Sequence, residues 1–526
     1  MFQGRFHKNY AAVQSANQAQ SGNVESFGNA DFWYDASAGR YFTPTSLATG
    51  GTTTGWQSRF SNGTFVPTSG FGPTYGGGAY SLPNFYFVGT NAQNPVVATF
   101  TASIAVGTAG TFTGIVSTTT NLAVSNLTVK NIPTNGGVAL GYAITGGTLP
   151  TGSYILNNIN GTANTTGTWQ VTVPQGTTIP ANATTTTIYT CTPITMTVSA
   201  VSNGIVNVGG MVYKATGGPT ANTFVTAQGT GKGGTGTYLV NISQTLASTT
   251  GITQFLPFVA FNSGDAFRVP MPSTSKVTSG YTVMIAYKWG AATGHVSMMG
   301  STHGNGGDYS WGNNAGVHEY NVAGATATAT NIAVSATGWH IHTLVYDGTK
   351  SDNSGKFRVF YDGTQTNLTF SGTVSTSTTA PAATTCTVSA AVITGANMVL
   401  TYPTTGSPAW EVGDIITVAG LVPAQTSGTV NNVNGTFTVT TCTNTTVGYA
   451  MSGTYTRTSG GTITGIPIPN LMVAGKAPIA SATKNTNPVT ATQGINIGEF
   501  LVYSSALGDS QIAALNTYLS NKWLGK

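Results

Sequence analysis

INIGEFLVY, at residues 495–503, is followed by DSQIAALNTYLSNKW at residues 509–523, and these two segments decide the fold of the chain. The first is a mostly apolar run of strand length, which predicts a β-strand. The second repeats its apolar side chains every three or four positions, which predicts an amphipathic helix. We therefore expect a terminal strand and a short helix that close a β-sheet core.

Capping residues predict where this helix begins and ends. Asp509 or Ser510 can cap its N-terminus, and Gly525 can terminate it. Lys522 lies favourably at its negative end. Trp523 falls on the apolar side of the pattern, as Trp56 does in its own segment. Both tryptophans are therefore predicted to be core residues and not ligand contacts.

Segments upstream have the period of sandwich strands. Residues 281–287, 339–346 and 357–361 alternate apolar and polar side chains, and the last two lead into Asp-Gly turns. Such alternation predicts strands with one buried face. Residues 257–269 place the turn sequence Asn-Ser-Gly-Asp between two apolar runs, which predicts a β-hairpin. The aromatic and turn-rich segment 31–98 is also predicted to form strands and loops.

The composition predicts an all-β protein. Only 6% of the residues are charged, and 69 are glycine. An ordinary soluble domain is about 25% charged, so Thr, Ser, Asn and Gly must supply the polar surface here. These residues favour short strands and tight turns. The net charge of +5 includes no run of Lys or Arg, and nucleic acid is therefore not an expected partner.

Cysteine content and hydropathy bear on where the protein works. The three cysteines, Cys191, Cys386 and Cys442, are too few for a disulfide framework and are expected to be buried thiols. We expect no signal peptide, transmembrane segment or membrane partner, because no apolar stretch approaches the roughly 20 residues of a span. A low-charge β protein without a leader is expected to be assembled in the host cytoplasm and to lie at the surface of a virion.

Two stretches, at about 100–255 and 376–464, differ in sequence pattern from the rest of the chain. The first contains an internal repeat at an offset of 69 residues, and its matched segments are Leu127-Thr-Val129 with Met196-Thr-Val198, Gly141 with Gly210, and Gly167-Thr-Trp169 with Gly236-Thr-Tyr238. Two copies of one β module are predicted. The second stretch carries VGDIITVAG and NGTFTV, a related pattern, which predicts a third module. We expect these modules to emerge from loops of a host domain.

Three motifs resemble one known family. They are WYDAS at residues 33–37, FNSGDAF at 261–267, and GEFLVY with its following helix at 498–523. Together they resemble laminin-G/concanavalin-A-like domains of phage and bacterial surface proteins, although 261–267 departs from the family pattern. The resemblance implies a jelly-roll β-sandwich built discontinuously from residues 31–99, 256–375 and 465–526. Residues 1–30 are polar, and in a virion protein they are expected to form an N-terminal docking arm.

The sequence contains none of the motifs that would predict an enzyme. Jelly rolls of this kind include glycosidases, which need two neighbouring carboxylates. The chain has only four glutamates and none has such a neighbourhood: Glu25, Glu319, Glu411 and Glu499. It also lacks a nucleophile elbow, a Cys-x-x-Cys pair and a phosphate-binding loop. We therefore expect no catalytic residues, while a polysaccharide-degrading enzyme stays an alternative.

Metal binding has weak candidates. His340 and His342 are predicted to share one face of a strand, where a His-x-His pair can bind a transition metal if a third ligand approaches. The alternative is that they are ordinary positions on a sandwich face. Calcium is the candidate cofactor that the resemblance implies, and loop aspartates could hold it: Asp265, Asp308, Asp347 and Asp352. No dense cluster of aspartates supports such a site.

One loop has the composition of a glycan site. HGNGGDYSWGNN, at residues 303–314, combines aromatic rings with amide side chains, as a sugar-binding site requires. The predicted contact residues are Asn305, Asp308, Tyr309, Trp311 and Asn313. The alternative interpretation is a structural loop in which Trp311 covers the sandwich core.

Together these features favour a virion structural protein exposed on the particle, in a tail fibre, tail tip or capsid decoration, that contributes to attachment to host-surface glycans. Other virion proteins are the expected partners of the N-terminal arm. A homotrimer is one of the assemblies left open. A free or cell-surface carbohydrate-binding module is the alternative from another class.

Overall fold

The computed structural model describes residues 95–525 outside a set of gaps, together with the backbone of six short strands between residues 32 and 86. The gaps are residues 118–123, 134–136, 173–178, 181–185, 262–266, 270–279, 291–294, 302–308, 315, 336, 377–383, 395–396, 403–409, 411–413, 424–432, 443–445, 452–456, 466–470, 474–494 and 504. The predicted docking arm, residues 1–30, therefore lies outside the described residues.

Short strands begin the chain: β1 (Phe32–Asp35), β2 (Phe42–Thr43), β3 (Gly51–Thr52), β4 (Gly55–Gln57), β5 (Thr64–Pro67) and β6 (Asn84–Tyr86). Twelve strands follow in the first insert: β7 (Val96–Val106), β8 (Gly110–Ser117), β9 (Val124–Asn131), β10 (Ala143–Thr145), β11 (Tyr154–Asn158), β12 (Gly167–Thr172), β13 (Thr187–Thr192), β14 (Ile194–Gly204), β15 (Met211–Tyr213), β16 (Val225–Gln228), β17 (Gly236–Val240) and β18 (Leu246–Phe255).

The middle of the chain contains β19 (Phe258–Phe261), β20 (Phe267–Val269), β21 (Gly280–Trp289), β22 (His295–Ser301), β23 (Tyr309–Asn314), β24 (Val317–Val322), β25 (Ala325–Ala333), β26 (His340–Asp347), the short helix α1 (Asn353–Lys356), β27 (Phe357–Tyr361), β28 (Thr364–Gln365) and β29 (Leu368–Ser371). Asp352 caps α1 by accepting a hydrogen bond from the Gly355 backbone N–H.

The remaining elements are β30 (Thr384–Thr387), β31 (Ala390–Thr394), β32 (Asn397–Thr401), β33 (Ile415–Ala419), β34 (Val422–Pro423), β35 (Gly435–Cys442), β36 (Thr446–Ala450), β37 (Arg457–Ser459), β38 (Thr462–Gly465), β39 (Leu471–Val473), β40 (Ile495–Tyr503) and α2 (Asp509–Leu519). A single π-helical turn, Ser520–Leu524, continues α2. No helix in the described part of the chain is long and apolar enough to cross a membrane.

Two large antiparallel sheets form a β-sandwich. Sheet 1 has the order β28-β27-β26-β21-β40-β19-β6-β3, with β1 also paired to β40. Sheet 2 has the order β2-β4-β5-β20-β39-β22-β23-β24-β25-β29. The prediction of an all-β chain built on a sandwich with a short C-terminal helix is confirmed. The terminal strand β40 also pairs with the opening strand β1, so that Trp33 lies opposite Leu501.

The predicted hairpin over residues 257–269 is wrong. β19 pairs with β40 and β6 in sheet 1, whereas β20 pairs with β39 and β5 in sheet 2. Because both edges of β19 are already occupied, β20 has no free edge to pair with. The chain crosses from one sheet to the other between these strands, through residues that lie outside the described ones.

The centre of sheet 1 is buried on both faces. Nearly every residue of β21, β26 and β40 is buried, because sheet 2 covers one face and α2 with the π-helical turn covers the other. The Thr343 hydroxyl donates a hydrogen bond of 2.8 Å to Oδ1 of Asn516 on α2. The prediction that residues 281–287 and 339–346 bury one face is therefore corrected, because these strands bury both faces.

The bounds of α2 differ by one residue from the prediction. Gly508 is the N-cap residue, and its backbone N–H donates to Oε1 of Gln511 at 3.0 Å. Asp509 is instead the first helical residue, where its charge still suits the positive end of the helix. Gly525 ends the π-helical turn with φ 64°, as a left-handed terminal residue, so that prediction is confirmed.

The inserted segments form sheets of their own. In the first insert, β8 to β13 form a closed barrel, and β7 with β14 to β18 form a six-stranded sheet. A seven-stranded sheet spans β30 to β38, apart from the small pair β34 and β37. We call these module one, module two and module three.

All three modules pair two strands in the same register. The residues directly opposite are an aliphatic or Met side chain and an aromatic one: Leu127 with Trp169, Met196 with Tyr238, and Ile416 with Phe437. One position further, Thr lies opposite Thr in each module. After that Val lies opposite a glycine of positive φ: Gly167, Gly236 and Gly435. The sequence repeat therefore coincides with equal strand pairing.

Candidate functional site

The predicted glycan loop is placed only in part. Residues 302–308, which include Asn305 and Asp308, lie outside the described residues. Tyr309 and Asn313 lie on β23, but their side chains are likewise outside the described set. These four residues stay predictions.

Trp311 is the one residue of this set whose side chain is described, and it is completely buried. Its ring centroid lies 4.0 Å from that of His342 and 5.2 Å from that of Tyr287, inside the sandwich. A sugar-stacking ring must expose one face to solvent. Trp311 exposes none, so its assignment as a glycan contact is corrected, and it fills the core as in the alternative interpretation.

Of the four aspartates proposed for calcium, the structure describes Asp347 and Asp352, and each is engaged by groups of its own turn. Asp265 and Asp308 lie outside the described residues. Asp347 accepts hydrogen bonds from the backbone and the hydroxyl of Thr349 within its own turn. Asp352 caps α1. Within the described ranges, no three His, Cys, Asp or Glu side chains are grouped closely enough to hold a metal ion.

His340 and His342 share one face of β26, as predicted, and both rings contact Tyr287 and Tyr361. They are not, however, a free pair of ligands. His340 Nδ1 lies 3.0 Å from Oδ2 of Asp362. Both ring nitrogens of His342 are occupied, Nδ1 by the Tyr287 hydroxyl at 3.2 Å and Nε2 by the Tyr320 hydroxyl at 2.7 Å.

His342 belongs to a larger group that we call the histidine cluster: Tyr287, Trp311, His318, Tyr320 and His342. The ring centroids of His318 and His342 are 5.0 Å apart. Trp311 Nε1 donates to Nδ1 of His318 at 3.2 Å, so a neutral His318 carries its proton on Nε2. That buried Nε2 has no hydrogen-bond partner among the described residues.

Burial keeps the cluster uncharged. It lowers the pKa of His318 to about 3, and the nearby His340 adds to this effect. It lowers the pKa of His342 well below its usual value, helped by His318 and His340. Burial also raises the pKa of Tyr287 and Tyr320. A neutral, fully buried cluster of this kind is suited to holding the sheets together and not to contacting a substrate.

A second buried polar group was not expected from the sequence. Glu499 on β40 accepts hydrogen bonds from the Tyr518 hydroxyl and from Trp523 Nε1 and forms an ion pair with Lys522. Lys522 lies in the last turn of the helical segment, where its charge suits the negative end of the helix as predicted, and it is also buried against Glu499. The isolated charge inside INIGEFLVY was the sequence signal for this pair.

The exposed chemistry lies on module three. One side of its four strands β30, β38, β33 and β35 carries an array that we call the threonine face: Thr385, Thr387, Thr417, Thr436, Thr438, Thr462 and Thr464. Four of these are directly opposite one another across the strands, in the order Thr385, Thr464, Thr417, Thr436. The hydroxyl oxygens of Thr385 and Thr464 are 2.9 Å apart, and those of Thr417 and Thr436 are 3.3 Å apart.

The threonine face is uncharged. Alternate residues of the same strands, such as Cys386, Val418 and Ile463, point into the core of module three. The described residues on the outer side include no ionisable side chain, only threonines with Ile415 and Ala419. Cross-strand threonine pairs recur in module two, where Thr230 and Thr237 exchange hydrogen bonds.

Comparisons with known proteins give little further information. No family model matches the chain, and no curated protein matches it. Among solved structures, 50% of the chain aligns with 43% of the binding domain of botulinum neurotoxin DC in complex with rat synaptotagmin II, at 8% identity and a TM-score of 0.23. It also aligns with 43% of the binding domain of Paraclostridial Mosquitocidal Protein 1, at 7% identity and a TM-score of 0.22. At such TM-scores the similarity carries no argument, and the chain spans less than half of those structures.

Proposed function

We propose that this chain is a non-enzymatic structural protein at the surface of a virus particle, in a tail fibre, tail tip or capsid decoration, and that it contributes to attachment to host-surface glycans. The observation that supports the proposal most directly is the threonine face. It presents ordered hydroxyl groups without charge on a module inserted into a sandwich.

Hydroxyl rows suit a neutral glycan chemically. Each threonine hydroxyl has one donor and two acceptor positions, and the pairing of Thr417 with Thr436 leaves some of these available to a partner. A sugar offers hydroxyls of the same kind. Because the face has no cation, it offers no specific attraction to phosphate or sulfate groups.

A single hydroxyl face would bind weakly, since each new hydrogen bond replaces one to water. Many copies on one particle would compensate, because linked weak sites gain about 10² to 10⁴ in avidity. The weakness of the face therefore agrees with a particle component better than with a free carbohydrate-binding module. Residues 1–30 are proposed as the arm that attaches the protein to other virion proteins.

The location is tested on intact particles with antibody fragments raised against module three. We expect gold labelling of capsid or tail in electron micrographs, and labelling that appears only after disruption would exclude surface display. Incorporation of a chain lacking residues 1–30 tests the arm, which is not needed if incorporation is normal.

Glycan attachment is tested with the full chain coupled densely to beads and applied to a glycan array. Replacing Thr417 and Thr464 by Val keeps the shape and removes two hydroxyls, and we expect at least tenfold weaker retention. Thr369→Val, on the exposed side of β29, is the matched control. If no glycan retains the wild-type beads, attachment is refuted; release of reducing sugar from any polysaccharide would refute the non-enzymatic assignment.

A further inference from the structure

The histidine cluster joins the two sheets of the sandwich. Tyr287 and His342 lie on sheet 1, whereas Trp311, His318 and Tyr320 lie on sheet 2. The bond between the Tyr320 hydroxyl and His342 Nε2 therefore crosses from sheet to sheet at 2.7 Å. The close ring contact of Trp311 with His342 crosses in the same way.

No carboxylate faces the two buried histidines from the described parts of the surrounding strands. β21 contributes Tyr287, β24 contributes His318 and Tyr320, and β26 contributes His340 and His342. From β27 come Tyr361 and the neighbouring Asp362, and β23 contributes no titratable group among its described side chains. Of β22, only the Met298 side chain is described. Asp362 is engaged by His340 and by the backbone N–H of Ile341.

A proton on His318 or His342 would therefore place an unpaired charge on a fully buried side chain, which is strongly unfavourable. It would also remove an acceptor nitrogen: His342 Nε2 or Nδ1 from its tyrosine partner, or His318 Nδ1 from Trp311. Separation of the sheets at this point would hydrate both imidazoles.

We propose that the histidine cluster is an acid-sensitive latch between the two sheets, which opens the sandwich in mildly acidic solution. The latch acts through the opened state, where both imidazoles regain their ordinary affinity for protons.

The size of the response follows from linkage. An exposed histidine binds a proton below about pH 6.5, and each proton bound only by the opened state changes the opening equilibrium tenfold per pH unit. Two histidines approach a hundredfold per pH unit well below that pKa, which amounts to roughly three-hundredfold between pH 6.5 and 5. The buried histidines stay neutral in the closed state over this whole interval.

The inserted modules do not share this sensitivity. Residues 100–255 and 376–464 contain no histidine, and residues 100–255 contain no aspartate or glutamate either. Acid is therefore expected to open the sandwich while the modules stay folded. They provide an internal reference within the same chain.

Hydrogen exchange of the full chain, followed by mass spectrometry at pH 7.5 and 5.0 and corrected for intrinsic exchange rates, tests the latch. We expect peptides from β24 and β26 to lose protection at least a hundredfold at pH 5.0, while peptides from β14 and β33 keep theirs. Unchanged protection in β24 and β26, or equal loss in all four strands, would overturn the proposal.

A double variant identifies the groups responsible. His318→Asn with His342→Gln retains acceptor atoms and cannot be protonated, and we expect its β24 and β26 protection to change less than threefold between the two pH values. His340→Gln, at the edge of the same cluster, is the control and should respond like the wild type. An undiminished response of the double variant would refute the latch.

If the double variant does not fold, NMR of the wild-type protein still tests the latch. With ¹³C-labelled histidine, two ring signals should stay at the neutral position at pH 5.0 in the molecules that remain closed. Protonated signals from every histidine in the closed state would exclude a latch of this kind.

Discussion

The ammonium of Lys522 and the carboxylate of Glu499 lie 2.9 Å apart, and both side chains are buried. Glu499 belongs to the central strand β40, and Lys522 belongs to the turn that follows α2. Tyr518 and Trp523 donate to the two carboxylate oxygens, one each. The terminal helix is thus fastened to the sheet by a charged group that is saturated with partners.

Removing one charge of this pair should be costly. Glu499→Gln leaves the Lys522 ammonium buried without its counter-ion, and we expect a loss of about 3–5 kcal/mol in the free energy of unfolding. Urea denaturation followed by tryptophan fluorescence measures it. The double variant Glu499→Gln/Lys522→Met should recover most of the loss, and a double variant as unstable as the single one would contradict this account.

Trp311→Ala is expected to destabilise the sandwich and not to remove an exposed contact. Truncation leaves a cavity in the core and deprives Nδ1 of His318 of its donor, with an expected loss of about 3–5 kcal/mol. Calorimetry of the full chain measures the shift. A stable Trp311→Ala protein that loses only glycan retention would restore the interpretation of Trp311 as a sugar contact.

Gly236 has φ 135°, and a Cβ there would lie 2.5 Å from the backbone nitrogen of Gly231. Gly236→Ala should therefore weaken module two by about 1–3 kcal/mol. Gly234→Ala is the matched control, because its Cβ would meet nothing within 4 Å. Hydrogen exchange in β17 provides the measurement, and equal effects of the two variants would show that the strand pairing tolerates a side chain at Gly236.

The first insert should lose stability in alkali and not in acid. It contains no carboxylate or histidine side chain, so none of its side chains changes proton occupancy between about pH 3 and 7. Burial raises the pKa of Tyr238 to about 12. Because the folded state holds this proton more tightly, the contribution is complete below about pH 10 and is lost as the pH rises from there to about 12.

Protection of β14 and β17 from hydrogen exchange, measured from pH 4 to 11, tests this. Tyr238→Phe should reduce the loss above pH 10. A marked fall in protection below pH 6 would show that proton uptake elsewhere in the chain reaches the insert.

Sequence patterns predicted those strands, helices and turns that depend only on residues close together in the chain. The terminal strand and helix, and the turn at Asp362 and Gly363 with φ 48° and 84°, depend on neighbouring residues alone. The histidine cluster could be predicted only as a His-x-His pair. His318 meets His342 because β24 and β26 lie in opposite sheets, and no periodicity encodes that meeting.

The same reason explains why the sequence pattern is misleading at Trp311. The polar surroundings of Trp311 suggested an exposed loop, yet its strand turns that ring toward Tyr287 on the facing sheet. The threonine face was missed because its residues come from strands up to 79 positions apart, such as Thr385 and Thr464. Recurring Thr-x-Thr triplets at 385–387, 436–438 and 462–464 were the available signal.

The position of β40 in sheet 1 has a consequence for biosynthesis. It is the last strand of this sequence, yet it lies between β21 and β19 at the middle of the sheet. A nascent chain can complete each module as soon as its own residues leave the ribosome. The sandwich cannot complete sheet 1 until residues 495–503 have been synthesised. The modules are therefore expected to fold before the sandwich into which they are inserted.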